Sequence, residues 1–370
     1  MSVLLKKPIF DDVSNNELVE QLEARKKSEK KLPTWFSASN IYYPNKLNIE
    51  QTSSEITAKY KADLVSGKSL VDVTGGLGVD SYYFSKKTER VYHCELNENL
   101  SEIATYNLRI LDAENVQTYN EDGLYFIKKS NTNFDWIYVD PSRRNDLKQR
   151  IFLLSDCLPN VVDNLDFMFS KSDNILIKTA PLLDISAGIK ELDHIKEIHI
   201  VAIQNDVKEL LWVLQKKYQG SISIKTINKT LKGDQTFNFN IQSEKEAISK
   251  FSEPLIYLYE PNAAILKSGA FKIIGQAKQV KKLHTNTHLY TSNSLIDFPG
   301  RRFIIEVILP YNKSALKKAR IKKANITTRN FPESVATIRK KMKIKDGGEI
   351  YLFFTKDLNE NVVVLQCKRV

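Results

Sequence analysis

The segment Leu70-Val-Asp72-Val-Thr74-Gly75-Gly76-Leu-Gly78-Val-Asp80 constrains this chain most. An apolar run enters a turn with three glycines and leaves it as a helical pattern. Glycine suits a turn where the backbone bends tightly and a ligand must come close. A helix start beyond the turn offers free N–H groups to an anion. From residue 67 onward, short apolar runs alternate with helical patterns. The runs fall at 69–73, 91–95, 116–120, 136–139, 175–178 and 197–203. The helical patterns fall at 79–87, 97–111, 123–129, 147–169 and 207–218. This alternation predicts an α/β fold with a doubly wound, mainly parallel sheet. A closing hairpin is expected from 221–227 and 235–241, around Lys232-Gly233-Asp234.

The ends of the runs carry the chemistry. Glu95 closes the second, where an acid can accept hydrogen bonds from both ribose hydroxyls of a nucleoside. Asp122 closes the third, within reach of an adenine edge. Gly76, Gly78 and Ser81 come near a dinucleotide-binding spacing. Asp72 argues against a pyrophosphate, because like charges repel, and favours the amino acid end of a zwitterionic ligand.

With these residues the stretch from 67 to 241 resembles a class I S-adenosylmethionine-dependent methyltransferase. The resemblance implies a Rossmann-like, seven-stranded methyltransferase sheet and S-adenosyl-L-methionine as cofactor. It assigns Asp72, Thr74, Gly75, Gly76 and Gly78 to the methionine moiety, Glu95 to the ribose and Asp122 to the adenine. The fourth run ends in Asp140-Pro141-Ser142-Arg143-Arg144, at the place that faces the methyl group in this family. Amino-methylating members have (D/N/S)-P-P-(Y/F/W) there. This chain keeps Asp140 and Pro141, with Ser142 and Arg143 in place of the second proline and the aromatic. The catalytic candidates are thus Asp140, Pro141 and Ser142. Arg143, Arg144 and Lys178, at the end of the fifth run, are candidates for substrate contact. Gln51-Thr-Ser-Ser-Glu55 is placed to form a lid.

The net charge is +11, and it is concentrated. Residues 311–345 hold twelve basic residues against one acid, Glu333, which accounts for the whole excess. A localised positive field attracts polyanions. In this window, Asn325-Ile-Thr-Thr-Arg329-Asn-Phe-Pro-Glu-Ser-Val-Ala-Thr-Ile-Arg339-Lys340-Lys341 resembles the THUMP-like domain, and 253–298 resembles a ferredoxin-like module. The resemblance implies RNA as partner, with Arg329, Arg339, Lys340 and Lys341 as phosphate contacts.

The expected organisation is an N-terminal helical segment (1–60), a methyltransferase domain (61–250), and small α+β domains, ferredoxin-like (251–298) and THUMP-like (299–370). The expected activity is methylation of a base nitrogen in tRNA or rRNA. The alternatives are a nicotinamide-dependent oxidoreductase, for which no acid–base candidate follows the glycine turn, and a non-catalytic RNA-binding protein with a vestigial cofactor pocket. Cys94, Cys157 and Cys367 are far apart, and none adjoins Asp140 to Arg144 in sequence. No cysteine nucleophile, metal site or disulfide framework is therefore expected. Absence of a long apolar segment predicts no membrane span, and the cysteine usage predicts a cytoplasmic protein.

Overall fold

Buried apolar triplets build the central strands. Leu70 and Val71 lead to Asp72 at the end of β1 (Gly67–Asp72), and Ile137, Tyr138 and Val139 are buried in β4 (Trp136–Val139). Covered on both faces, such strands read as continuous apolar runs rather than alternating ones. The computed structural model describes residues 10, 13–143 and 153–370. It contains two units, Met1–Ile198 with Lys208–Gly220, and His199–Val207 with Ser221–Val370.

The first unit begins with helices α1 (Asn15–Lys31), α2 (Pro33–Ser37), α3 (Lys46–Gln51) and α4 (Glu55–Ala62). Side-chain caps mark the starts of α1, α3 and α4. Ser14 accepts from the Glu17 N–H at 3.1 Å, and Ser54 accepts from the Thr57 N–H at 3.3 Å. Helix α5 (Val79–Phe84) then follows β1, α6 (Glu98–Ile110) follows β2 (Thr88–Cys94), and α7 (Gly123–Lys129) follows β3 (Val116–Tyr119). Beyond β4 come a short antiparallel pair, β5 (Ser142–Arg143) with β6 (Cys157–Leu158), then α8 (Val161–Lys171), β7 (Asn174–Thr179) and α9 (Ile185–Glu191). Strands β8 (Ile195–Ile203) and β9 (Asp206–Gln215) close the series. The strand order is β3-β2-β1-β4-β7-β9-β8. Neighbours from β3 to β7 run parallel, and β9 is antiparallel to β7. This is the Rossmann-like sheet that the alternation and the resemblance lead one to expect. In the second unit β8 is followed in the sheet by the expected antiparallel hairpin, β10 (Ser223–Thr230) and β11 (Gly233–Asn240).

Two expected elements differ. Residues 206–215 form strand β9, not a helix. Val207, Leu210, Leu211 and Leu214 fit a helical period, yet all of Leu210–Leu214 is buried. A segment apolar on every side suits a strand covered on both faces as well as it suits a helix. The tight turn Gln204–Asn205, with both φ values positive at 51° and 67°, settles the choice by returning the chain directly along β8. The helix expected over 147–169 begins only at Val161, where Asn160 caps it at 3.2 Å from the Asp163 N–H. The part of that expectation before residue 153 lies outside the described residues.

The second unit holds α10 (Ile241–Glu246), β12 (Tyr257–Pro261), α11 (Ala263–Ser268), α12 (Ile273–Ala277), β13 (Lys281–Lys282), β14 (Tyr290–Ser292), β15 (Gly300–Pro310), α13 (Lys313–Lys318), β16 (Lys323–Thr328), α14 (Val335–Met342), β17 (Lys345–Lys356) and β18 (Val362–Arg369). Its separate sheet runs β13-β14-β12-β15-β18-β17-β16, with β16 parallel to β17 and the other neighbours antiparallel. Leu258, Phe303, Phe353 and Leu365 form its core, and Ile338 of α14 packs with Leu352 and Phe354.

Candidate active site

The turn after β1 is shaped by its own side chains. Asp72 is buried, and its two oxygens accept from the Thr74 N–H at 3.1 Å and from the Ser81 hydroxyl at 2.7 Å. Burial disfavours its charged form and pushes its pKa up to about 7. The Ser81 bond opposes the rise, Asp80 adds to it, the Thr74 bond opposes it and Asp140 adds a last increment.

Two glycines are sterically required. A Cβ on Gly75 would lie 2.2 Å from Cε1 of the buried His93. Gly78, at φ +80°, is the left-handed residue that starts α5. His93 meets Ser81 at 3.0 Å through Nδ1, and burial lowers its pKa to about 4, which keeps it neutral.

The other strand ends converge on this turn. Glu95 accepts from the Gly76 N–H at 2.8 Å and from the Asn97 N–H at 2.7 Å. Asp122 caps α7, accepting from the Tyr125 N–H at 2.8 Å. The Asp140 N–H donates to the Thr74 hydroxyl at 2.7 Å, tying the end of β4 to the glycine turn. Lys178, at the end of β7, donates to Oδ2 of Asp140 at 2.5 Å. Burial works to lower the Lys178 pKa, but Asp140, Glu209 and Asp80 outweigh it, and the net shift is upward. The ammonium therefore stays charged.

The glycine turn and the strand-end acids line one cavity of about 920 Å³, within the first unit. Asp72, Thr74, Gly75, Gly76, Glu95, Asp122, Asp140 and Ser142 all face it. Among the described residues that line it, five are acids (Asp80 is the fifth) and none is basic. Such a wall suits a cationic ligand and is hostile to pyrophosphate. Asn48, Gln51, Thr52 and Ser53 supply a further wall, so the segment expected as a lid does border the cavity. Gly78 is not among the lining residues, and its part is the backbone turn.

Sequence reasoning missed the buried network behind this wall. The wholly buried Lys61 donates to Glu209 at 2.8 Å and 3.1 Å and to the Ser53 hydroxyl at 3.2 Å, and lies 3.2 Å from Asp80. Asp80 in turn accepts from the hydroxyls of Ser53 and Tyr138, both at 2.8 Å. The signal in the sequence was an acid, Glu209, set against the apolar run that follows it.

The expected substrate contacts fare differently. Arg143 lies in β5, and Arg144 falls outside the described residues. Lys178 is engaged with Asp140. Arg329 is drawn onto the buried Glu260, Nη2 to Oε1 at 2.8 Å, with Arg301 on the other oxygen. Arg339 is paired with Asp346, and Lys341 bonds Glu333 at 2.9 Å and the Tyr311 hydroxyl at 3.1 Å. Lys340 is exposed on α14.

The cysteine reading needs one correction. Cys157, expected on a helix and remote from the acceptor motif, pairs with Arg143 across β5 and β6. It is buried and is not among the residues lining the cavity. Cys94 is also buried, which raises its pKa. Among the described residues no group of three or more potential metal ligands occurs, and no helix is long and apolar enough to cross a membrane.

Comparison with known proteins gives concordant findings. Residues 257–299 match a ferredoxin-like domain family, and residues 300–369 match a THUMP domain-like family. A crystal structure of a protein from Porphyromonas gingivalis W83, described as a putative methyltransferase, is 32% identical, with 100% of this chain and 94% of that chain covered at a TM-score of 0.91. An uncharacterized RNA methyltransferase of Mycoplasma mobile is 30% identical over 77 residues, which is 21% of this chain and 21% of that protein. The chain thus spans about a fifth of that curated relative's length. With its acid-lined cavity at the strand ends, its separate C-terminal sheet and near-complete structural correspondence, the chain belongs to the methyltransferase family of the Porphyromonas gingivalis protein and carries ferredoxin-like and THUMP-like domains at its C-terminal end.

Proposed function

We propose that the protein is a class I methyltransferase that uses S-adenosyl-L-methionine to methylate a base nitrogen of structured RNA, tRNA or rRNA. The observation that carries this reading is the cavity bordered by Asp72, Glu95, Asp122 and Asp140 beside the glycine turn. Gly76, at φ +56° and with only the Thr74 carbonyl oxygen, 4.0 Å away, near where a Cβ would stand, leaves a backbone cradle in that wall. Its donor set matches a nucleoside with a cationic amino acid arm. Asp72 would hold the methionine end, together with the backbone of the Thr74–Gly76 turn. Glu95 would take the ribose hydroxyls and Asp122 the adenine edge. When bound, the cofactor supplies a methyl group on a positively charged sulfur.

The protein's part is positioning and exclusion of water. Asp140 accepts a hydrogen bond from the acceptor amine, with the carbonyl of Pro141 as a second acceptor. Lys178 fixes the carboxylate and Thr74 fixes the backbone of Asp140. Asn48 to Ser53 shield the donor from solvent. RNA as substrate is supported by the THUMP-like match, by the likeness to the RNA methyltransferase of Mycoplasma mobile and by the basic segment 311–345. In this reading the C-terminal domains hold the RNA and the first unit does the chemistry, in the reducing cytoplasm.

The test has two arms. Calorimetric titration should show binding of S-adenosylmethionine and none of NADH. Mass spectrometry of nucleosides in RNA, from cells with and without the protein, should reveal a methylated base that depends on it. Binding of NADH alone would sink the methyltransferase reading. Donor binding without methyl transfer to any RNA would favour a vestigial pocket.

A further inference from the structure

Two acids of the cavity wall are gathered on one side of β1. Glu95 and Asp122 follow β2 and β3, which lie to the other side of β1 in the sheet. Asp80, the second residue of α5, is held instead from the β4 side. Tyr138 of β4, the register partner of Asp72, donates its hydroxyl to Oδ2 of Asp80 at 2.8 Å. The next residue, Ser81, donates to Asp72 at 2.7 Å. Asp72 and Asp80 thus make one acidic corner, and both line the cavity.

The charge in that corner is not balanced. Lys61 is one cation set against two acids, Asp80 and Glu209. Glu209 takes two hydrogen bonds from it, at 2.8 Å and 3.1 Å, and is not among the lining residues. Asp80 does line the cavity. Lys61 lies 3.2 Å from its Oδ1, yet that buried oxygen accepts no hydrogen bond among the described residues. The surplus negative charge therefore falls on the cavity side, where a cationic ligand group would answer it.

The same carboxylate fastens the lid segment. The Ser53 hydroxyl donates to Oδ2 of Asp80 at 2.8 Å and accepts from Lys61 at 3.2 Å. Ser53 is buried and lines the cavity together with Asn48, Gln51 and Thr52.

We propose that Asp80 is a second acid for the cationic amino acid arm of the donor, and that its bond to Ser53 latches the segment Asn48–Ser53 over that arm. Lys61 and Tyr138 are the positioning residues that aim the carboxylate. The proposal rests on the S-adenosylmethionine reading and deepens it, since that reading gives the arm only Asp72 and the backbone of the glycine turn. A cation at Asp80 and the hydroxyl of Ser53 address one carboxylate, so binding of the arm and closure of the wall support each other.

Calorimetry on the full chain tests this with two probes. S-adenosylhomocysteine carries the amino acid arm, and 5′-methylthioadenosine has the nucleoside and thioether without it. Asp80→Asn should weaken S-adenosylhomocysteine about 10- to 100-fold, as expected for loss of a hydrogen bond to a charged group. Affinity for methylthioadenosine should stay within about twofold. Ser53→Ala should speed dissociation of S-adenosylhomocysteine about fivefold in stopped-flow measurements, with the association rate little changed. This variant keeps the contacts of Asp80 with Lys61 and Tyr138, so it carries the test should Asp80→Asn not fold.

Equal weakening of both probes in Asp80→Asn would show a structural role and overturn the second acid, as would unchanged affinity for S-adenosylhomocysteine. A wild-type dissociation rate in Ser53→Ala would overturn the latch. Either result leaves the donor reading standing. Failure of the wild-type chain to bind S-adenosylhomocysteine would overturn the donor reading itself.

Discussion

Nζ of Lys178 lies 2.5 Å from Oδ2 of Asp140, joining the ends of β7 and β4 at the rim of the cavity. The pair orients the carboxylate of the acceptor motif and balances its charge. Lys178→Met should leave the acceptor group misaligned. We expect kcat for methyl transfer to drop about 100-fold with the KM for the donor little changed, since small misplacements cost about that much. Steady-state kinetics with donor and RNA varied separately check this. A purely structural role would instead lower the amount of folded enzyme and leave kcat per active site intact.

The Lys61 network makes a prediction about stability. Lys61→Met strands Glu209 and Asp80 as buried carboxylates, and loss of one partner from a buried ion pair costs about 3–5 kcal/mol. Urea denaturation should show the loss. Adding Glu209→Gln should recover part of it, because the two residues are directly coupled.

Asp72 should couple stability to pH. Its folded-state pKa of about 7 lies above the unfolded value, so the folded chain holds the extra proton between about pH 4 and pH 7. Across that window the contribution of Asp72 falls as pH rises, and its full cost is present above pH 7. Asp72→Asn removes this term. The difference in urea midpoint, variant minus wild type, should therefore grow from pH 4 to pH 7 and then level off. A constant difference would show that the carboxyl titrates normally. Donor affinity should rise over the same window in wild type alone, as the carboxylate becomes ionised.

Gly75→Ala should destabilise the turn by about 1–3 kcal/mol, the usual cost of overpacking. The clash is with the ring of His93, at 2.2 Å from the added Cβ. His93→Ala should therefore relieve part of the damage in the double variant. Thermal melts of the three variants decide whether the effects add or compensate.

In the C-terminal domains, Arg329 and Lys340 should separate cleanly. Arg329→Gln removes one of two arginines from the buried Glu260, so its main effect should be on stability. Lys340→Gln should leave stability unchanged within about 0.5 kcal/mol. It should also weaken RNA binding and reduce the salt slope by about 1. The reverse pattern in melts and anisotropy would reassign the two residues.

The amino acid sequence by itself specified the strand–turn–helix at 70–84, the alternating α/β order and the acids at the strand ends. Each is a local matter. Glycines at 75 and 78, caps such as Asn97 and Asp122, and continuous apolar runs act through their immediate neighbours. Tertiary structure decided what depends on distant partners. Residues 206–215 became a strand because both faces are covered, a condition their own periodicity does not reveal. Lys178 met Asp140, Arg329 met Glu260 and Cys157 came to lie opposite Arg143 because the sheets bring remote segments to adjacent positions. A charged residue's sequence states its capacity to bind an anion or an acid. Only packing decides which partner reaches it first, since a buried carboxylate without a cation is too costly to leave alone.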